Sequence, residues 1–162
     1  MDHAIYLALG TNLGNRLVNL TTAVAALTPA VTVLAESPVY ETLPWGVIDQ
    51  PDFLNMVLKG KTHLAPPALL AHLKHLEIQL GRASSIRYGP RLIDVDILFY
   101  DDLVLSTSEL ILPHPRLHER AFVLVPLADL APDFVHPAFG KPVRVLLEAV
   151  DTIGVKRYEQ SG

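Results

Sequence analysis

The stretch Arg91-Leu92-Ile93-Asp94-Val95-Asp96-Ile97-Leu98-Phe99-Tyr100 alternates charged and apolar residues at its start and turns continuously apolar at its end. Period-two alternation is the mark of a strand, whose successive side chains point to opposite faces. The pattern predicts a strand over residues 92–100 with Ile93, Val95, Ile97 and Phe99 on one face and Asp94 and Asp96 side by side on the other. Like charges placed in this way repel unless a cation neutralises them. Paired hard oxygen ligands suit a magnesium ion that keeps several waters and takes its remaining ligands from phosphate oxygens. The competing reading is an edge strand whose aspartates face water and discourage aggregation.

Outward from this strand the chain alternates apolar runs with turn residues. Ala4 to Leu9 is a continuous apolar run closed by Gly10, which suits a strand buried on both faces. Leu17, Leu20, Val24 and Leu27 recur at helical spacing until Pro29. Val31 to Ala35 and Val39 to Thr42 predict strand pieces separated by Ser37-Pro38, and Phe53 to Thr62 predicts another strand. Pro66-Pro67 open a second helix with Leu69, Leu73, Leu76 and Leu80 on its apolar stripe and Gly81 at a left-handed cap. Helices are also predicted over 115–128, with Pro126 disturbing the end, and over 142–150, followed by a polar tail that frays from Asp151. Two loops rich in proline and glycine, residues 43–52 and 82–90, have the composition of lids over a site. Strands and helices in this order, without strict βαβ alternation, predict an α+β sandwich with a mainly antiparallel central sheet flanked by helices. At 162 residues the expectation is a single domain over 1–162.

Composition removes several classes of function. The chain has no cysteine, which excludes disulfide scaffolds, thiolate metal sites and a cysteine nucleophile. With a formal net charge of −4 and 19% charged residues it lacks the footprint of a nucleic-acid binder. No apolar run reaches the roughly 18 residues of a membrane span, and no signal peptide opens the chain, so the expectation is a cytoplasmic protein without membrane or nucleic-acid partners. His63, His72, His75, His114, His118 and His136 form no metalloprotease pair, and there is no Gly-x-Ser-x-Gly elbow. Gly10-Thr11-Asn12-Leu13-Gly14 sits between a strand and a helix but lacks the Gly-Lys-Ser/Thr of a phosphate loop, and reads better as a tight turn.

Basic residues cluster around the two aspartates: Lys74, Arg82, Arg87 and Arg91 precede them, and Arg116 and Arg120 follow with His114 and His118. Guanidinium forks match phosphate oxygens, or else pair with surface carboxylates. Phe53 and Asn55 alternate onto one strand face, an aromatic plane beside an amide that both donates and accepts, and Phe122 offers an opposing wall. Such a set suits a flat heterocycle.

Together these segments resemble the 6-hydroxymethyl-7,8-dihydropterin pyrophosphokinases. The resemblance rests on Tyr6 to Gly14, on Tyr40-Glu41-Thr42 leading to Gln50-Pro51-Asp52-Phe53-Leu54-Asn55, and on Glu77-Ile78-Gln79-Leu80-Gly81-Arg82. It continues through Tyr88 to Ile97, Leu112-Pro113-His114-Pro115-Arg116 and Arg120-Ala121-Phe122. It implies a ferredoxin-like fold, ATP as co-substrate, two magnesium ions on Asp94 and Asp96, and small-molecule substrates handled by a monomer. Arg91, Asp94, Asp96 and His114 would be the catalytic group. ATP would meet Glu77, Arg82, Arg87, Tyr88, Arg91, His114 and Arg120. The pterin would meet Thr42, Leu43, Trp45, Phe53, Asn55, Asp94 and Phe122. Tyr88 stands where tryptophan is common in the family, Ser84 and Ser85 where some members carry extra basic residues, and Lys74 where some carry an amide. His114 either moves a proton or binds phosphate, and the sequence leaves both open.

Overall fold

A strand that is apolar on both faces needs cover on both, and Ala4 to Leu9 occupies that position. The computed structural model describes residues 2–42, 52–81 and 93–159. It places strand β1 (His3–Thr11) between two antiparallel neighbours, with helix α1 (Arg16–Ala26) following. Next come β2 (Thr32–Glu36), β3 (Tyr40–Thr42), β4 (Phe53–Thr62), α2 (Pro66–Leu80) and β5 (Asp94–Tyr100). The short β6 (Leu105–Ser106) and β7 (Ile111–Leu112) form a separate two-stranded ladder. A 3-10 turn (Leu117–Glu119), α3 (Ala121–Leu130), α4 (Val143–Glu148) and β8 (Val155–Arg157) close the order. The main sheet runs β5-β1-β4-β3-β8, with β2 also on β4, and every pairing in it is antiparallel. This is the expected α+β sandwich.

One face of the sheet presents Ile5, Leu7, Leu9, Leu54, Met56, Leu58, Val95 and Ile97 to Leu20 and Ala23 of α1 and to Leu69, Leu73 and Leu76 of α2. The other presents Tyr6, Val57, Leu98 and Phe99 to Val123, Leu124 and Leu127 of α3 and to Val143 and Leu146 of α4. Burial of these side chains from both sides is the main stabilising term. Asn15 caps α1 by accepting from the Val18 N–H at 3.2 Å. Between β2 and β3, both on the same edge of β4, Ser37 exchanges bonds with Val57: its N–H donates to the Val57 carbonyl and its hydroxyl accepts the Val57 N–H, each at 2.9 Å. The Ser37-Pro38 break therefore leaves no buried donor unmet at that point.

Four expectations change. Phe99 does not share a face with Val95 and Ile97, because the β1–β5 register passes from Leu7–Ile97 to Tyr6–Phe99 and leaves Leu98 as a bulge that reverses the alternation. The helix over 115–128 is interrupted at Arg120, whose backbone is extended, and α3 then runs through the buried Pro126 to Leu130. Gly81 ends α2 at φ −102°, outside the left-handed region. The tail after Asp151 does not simply fray: Val155–Arg157 pairs with β3. Among the described residues no helix is long and apolar enough to cross a membrane.

His136 gives the fold a pH dependence. It is 2% exposed, its Nδ1 accepts from the N–H groups of Ala138 and Phe139 at 3.2 and 3.1 Å, and its ring stacks on Phe139. Burial, then the neighbouring His118, holds it below its ordinary value of 6.5. Below about pH 6.5 the unfolded chain takes up a proton that the folded chain resists, so this stabilisation is complete above that pH and is lost as pH falls. Lowering the pH from about 7 to about 5 should depress Tm. His136→Asn, which retains an acceptor, should flatten that fall, and an unchanged slope would remove His136 as its source.

Candidate active site

Register across the sheet assembles the site. Asp94 on β5 lies opposite Gly10 on β1, Gly10 opposite Asn55 on β4, and Asn55 opposite Tyr40 on β3. Residues paired directly across antiparallel strands share a face, so these four form one row. Strands lie about 4.8 Å apart, which sets Asp94 and Asn55 roughly 10 Å from one another across the bare Gly10. The result is a slot with a carboxylate on one bank, an amide on the other and backbone for a floor. A Cβ on Gly10 would come within 2.9 Å of Asn55 Oδ1. In the next row Asp96 lies opposite Ala8, another small residue.

The amide bank is held rigidly. Asn55 and Thr42 are each 7% exposed, and Asn55 Nδ2 donates to Thr42 Oγ1 at 2.8 Å. Phe53, paired with Thr42, is half-buried on the same face. Tyr40 donates its hydroxyl to Asp129 of α3, and burial followed by that hydrogen bond pushes its pKa up to about 12, so the donor stays protonated.

The carboxylate bank is fixed along the outer edge of β5. Glu77 of α2 accepts the outward Val95 N–H at 2.8 Å and pairs with Lys74 at 3.2 Å. The carbonyl of the bulged Leu98 accepts the His114 N–H at 3.0 Å, which hangs His114 on the same strand. His114 Nδ1 accepts the Arg116 N–H at 3.1 Å. A nitrogen that accepts from a backbone amide carries no proton, so the neutral ring is protonated at Nε2. Burial holds His114 below its ordinary 6.5, with Arg120 and Arg116 acting in the same sense against the opposing Asp96 carboxylate. The Arg120 guanidinium carbon lies 5.7 Å from the Phe122 ring centre, and Phe122 and Ala8 each pack against the second core cluster. Asp96, His114, Arg116, Arg120 and Phe122 are thus brought to one side of the slot.

A cleft beside β5 is lined by Leu70, Lys74, Asp96, Ile97, Ile111 and His114. The apolar members of this lining escape sequence reading, because α2, β5 and the β6–β7 ladder meet only in the tertiary structure. Gly10 escapes it as well: it reads as a turn residue, whereas its neighbours across the ladder make it the floor of the slot. The expected site residues Leu43, Trp45, Arg82, Arg87, Tyr88 and Arg91, with most of both proline-glycine loops, lie outside the described residues. Among the described residues no three His, Asp or Glu side chains gather as a self-sufficient metal cage. Two carboxylates on one strand face fit an ion that completes its shell with water and substrate oxygens.

Comparison with known proteins converges on one family. A family model described as 7,8-dihydro-6-hydroxymethylpterin-pyrophosphokinase matches residues 6–132. The chain is 45% identical over 156 residues to the 2-amino-4-hydroxy-6-hydroxymethyldihydropteridine pyrophosphokinase of Methylorubrum extorquens, covering 95% of this chain and 98% of that protein. The protein of the same name from Aquifex aeolicus is 41% identical over 140 residues, 86% of this chain and 88% of its own. The chain spans only 24% of the mitochondrial folate synthesis bifunctional protein of Arabidopsis thaliana, at 48% identity. Among solved structures, Plasmodium falciparum HPPK-DHPS with pteroate superposes with a TM-score of 0.76 at 16% identity, over 91% of this chain and 43% of that one. This last likeness is one of fold.

The floor of the slot is open to a stability test. Gly10→Ala should destabilise by about 1–3 kcal/mol through overpacking against Asn55. Adding Asn55→Ala should relieve part of that loss. Strictly additive changes in Tm or denaturation midpoint would show that the two positions do not meet.

Proposed function

Because the chain belongs to the 7,8-dihydro-6-hydroxymethylpterin-pyrophosphokinase family, we propose that it transfers a diphosphate group from ATP to the hydroxymethyl oxygen of 6-hydroxymethyl-7,8-dihydropterin in folate synthesis. The observation that carries this reading is the row Asp94, Gly10, Asn55 on one sheet face, next to a cleft bordered by Asp96 and His114. A flat ring fits over the glycine between an amide and an aromatic wall, while a phosphate chain fits along the carboxylates and the basic groups.

In the reaction the hydroxymethyl oxygen forms a bond to the β-phosphorus, the bond from that phosphorus to the oxygen bridging the α-phosphate breaks, AMP leaves with the electron pair, and the hydroxyl proton is released to solvent. The work of the protein is positioning and charge stabilisation. Asn55 reads the pterin edge through the Oδ1 and the remaining N–H that Thr42 leaves available, and Phe53 and Phe122 are its stacking walls. The nucleoside end of ATP takes the cleft lined by Leu70, Ile97 and Ile111. Arg120 contributes a fixed positive charge to the phosphates. His114, neutral and protonated at Nε2, is a donor to phosphate oxygen, and its Nδ1 is already engaged by the Arg116 N–H. This geometry favours phosphate binding over proton abstraction. Asp94 and Asp96 would hold magnesium, which supplies charge neutralisation at the phosphate oxygens. Glu77 supports that strand through Val95, and Arg82, Arg87, Tyr88 and Arg91 enter on the family resemblance, as do Leu43 and Trp45. We read the chain as one domain acting as a monomer.

The test is AMP formation from ATP and magnesium with and without the pterin. AMP released in step with pterin consumed is expected; pterin-independent AMP, or release of inorganic phosphate, would overturn the assignment. Asp96→Ala should lower kcat by about a hundredfold or more with Tm nearly unchanged. Undiminished turnover would sink the role of the carboxylate pair.

A further inference from the structure

Arg16, the first residue of α1, lies far along the chain from Thr42, Phe53 and Asn55 but is bonded to β3 and to the residue just before β4, the two strands that carry the amide bank. Its Nη1 donates to Glu41 Oε2 at 2.7 Å and to the Asp52 carbonyl at 2.7 Å. Glu41 immediately precedes Thr42, and Asp52 immediately precedes Phe53. Thr42 and Phe53 form the last rung of the three-residue β3–β4 ladder. Terminal rungs fray, and here a single guanidinium nitrogen spans the rung, tying Glu41 one residue inside it on β3 to Asp52 one residue outside it before β4. The guanidinium carbon lies 5.7 Å from the ring centre of Tyr158, whose N–H donates to the Val39 carbonyl at 2.9 Å. The C-terminal segment thereby backs the same contact. Glu41 is paired with Leu54, whose side chain packs in the cluster under α1 and α2, so Arg16 works from the face opposite the slot.

We infer that Arg16 is a positioning residue for the pterin, acting through Glu41 and the Asp52 carbonyl to keep Thr42 and Phe53 in register. Thr42 in turn accepts the Asn55 amide, so loss of the rung loosens the reader of the heterocycle edge and not the phosphate side. This inference rests on the proposed transferase reading for the identity of the ligand. Both hydrogen bonds leave the same nitrogen, so a lysine ammonium, also one nitrogen with several hydrogens, satisfies the same two acceptors.

The experiment measures pterin and ATP affinities by equilibrium titration, together with KM and kcat, for the wild type, Arg16→Ala and Arg16→Lys. Arg16→Ala should weaken pterin affinity and raise its KM by about tenfold with ATP affinity unchanged, the size expected for losing supporting hydrogen bonds. Arg16→Lys should restore most of the loss. If Arg16→Ala fails to fold, Glu41→Ala removes one of the two contacts and should give a smaller shift of the same kind. Unchanged pterin affinity, equal weakening of both ligands, or no recovery with lysine would overturn the positioning role. A wild type that binds the pterin but forms no AMP would instead overturn the transferase reading, leaving Arg16 to be judged on affinity.

Discussion

The double pairing of β1, with β4 on one side and β5 on the other, is the constraint from which the site follows. Two ladders in fixed register bring an amide and a carboxylate to either side of one glycine. A shift of one residue in either ladder would turn Asp94 or Asn55 toward the opposite core. Apolar burial on both faces enforces the register, because Ile5, Leu7 and Leu9 must reach α1 and α2 while Tyr6 and Ala8 face α3. Core packing and site geometry are in this sense one requirement.

The bulge at Leu98 divides labour along β5. Before it, alternation sends Val95 and Ile97 to one core and leaves Asp94 and Asp96 on the opposite face; after it, Leu98 and Phe99 both enter the second core. The bulged carbonyl also receives the His114 amide. A single extra residue therefore ends the polar portion of the strand, starts the support for α3 and anchors the histidine beside Asp96.

Local signals made much of this fold readable. Phe53–Thr62 and Pro66–Leu80 match their expected bounds, because periodicity and paired prolines act within a short window. The Asp94–Asp96 pair was legible for the same reason. Leu98 was not, since two successive apolar residues carry no mark of a bulge, and the interruption at Arg120 has no glycine or proline to announce it. β8 was missed because a three-residue polar strand exists only through its partner β3. Gly10 and Arg16 belong to the site through register and through contacts 25 and 36 residues distant, which no local pattern encodes.

A floor made of backbone has a consequence for molecules aimed at the slot. Side-chain walls can be trimmed, enlarged or swung aside by a single codon change, so contacts with Phe53 or Phe122 are open to escape. The floor offers no comparable choice. Any residue other than glycine at position 10 carries a Cβ, and that carbon meets the same Asn55 oxygen that would read the natural heterocycle. A compound whose affinity comes chiefly from contact with Gly10 thus confronts a variant with a dilemma: the substitution that expels the compound also displaces the amide that would read the proposed substrate.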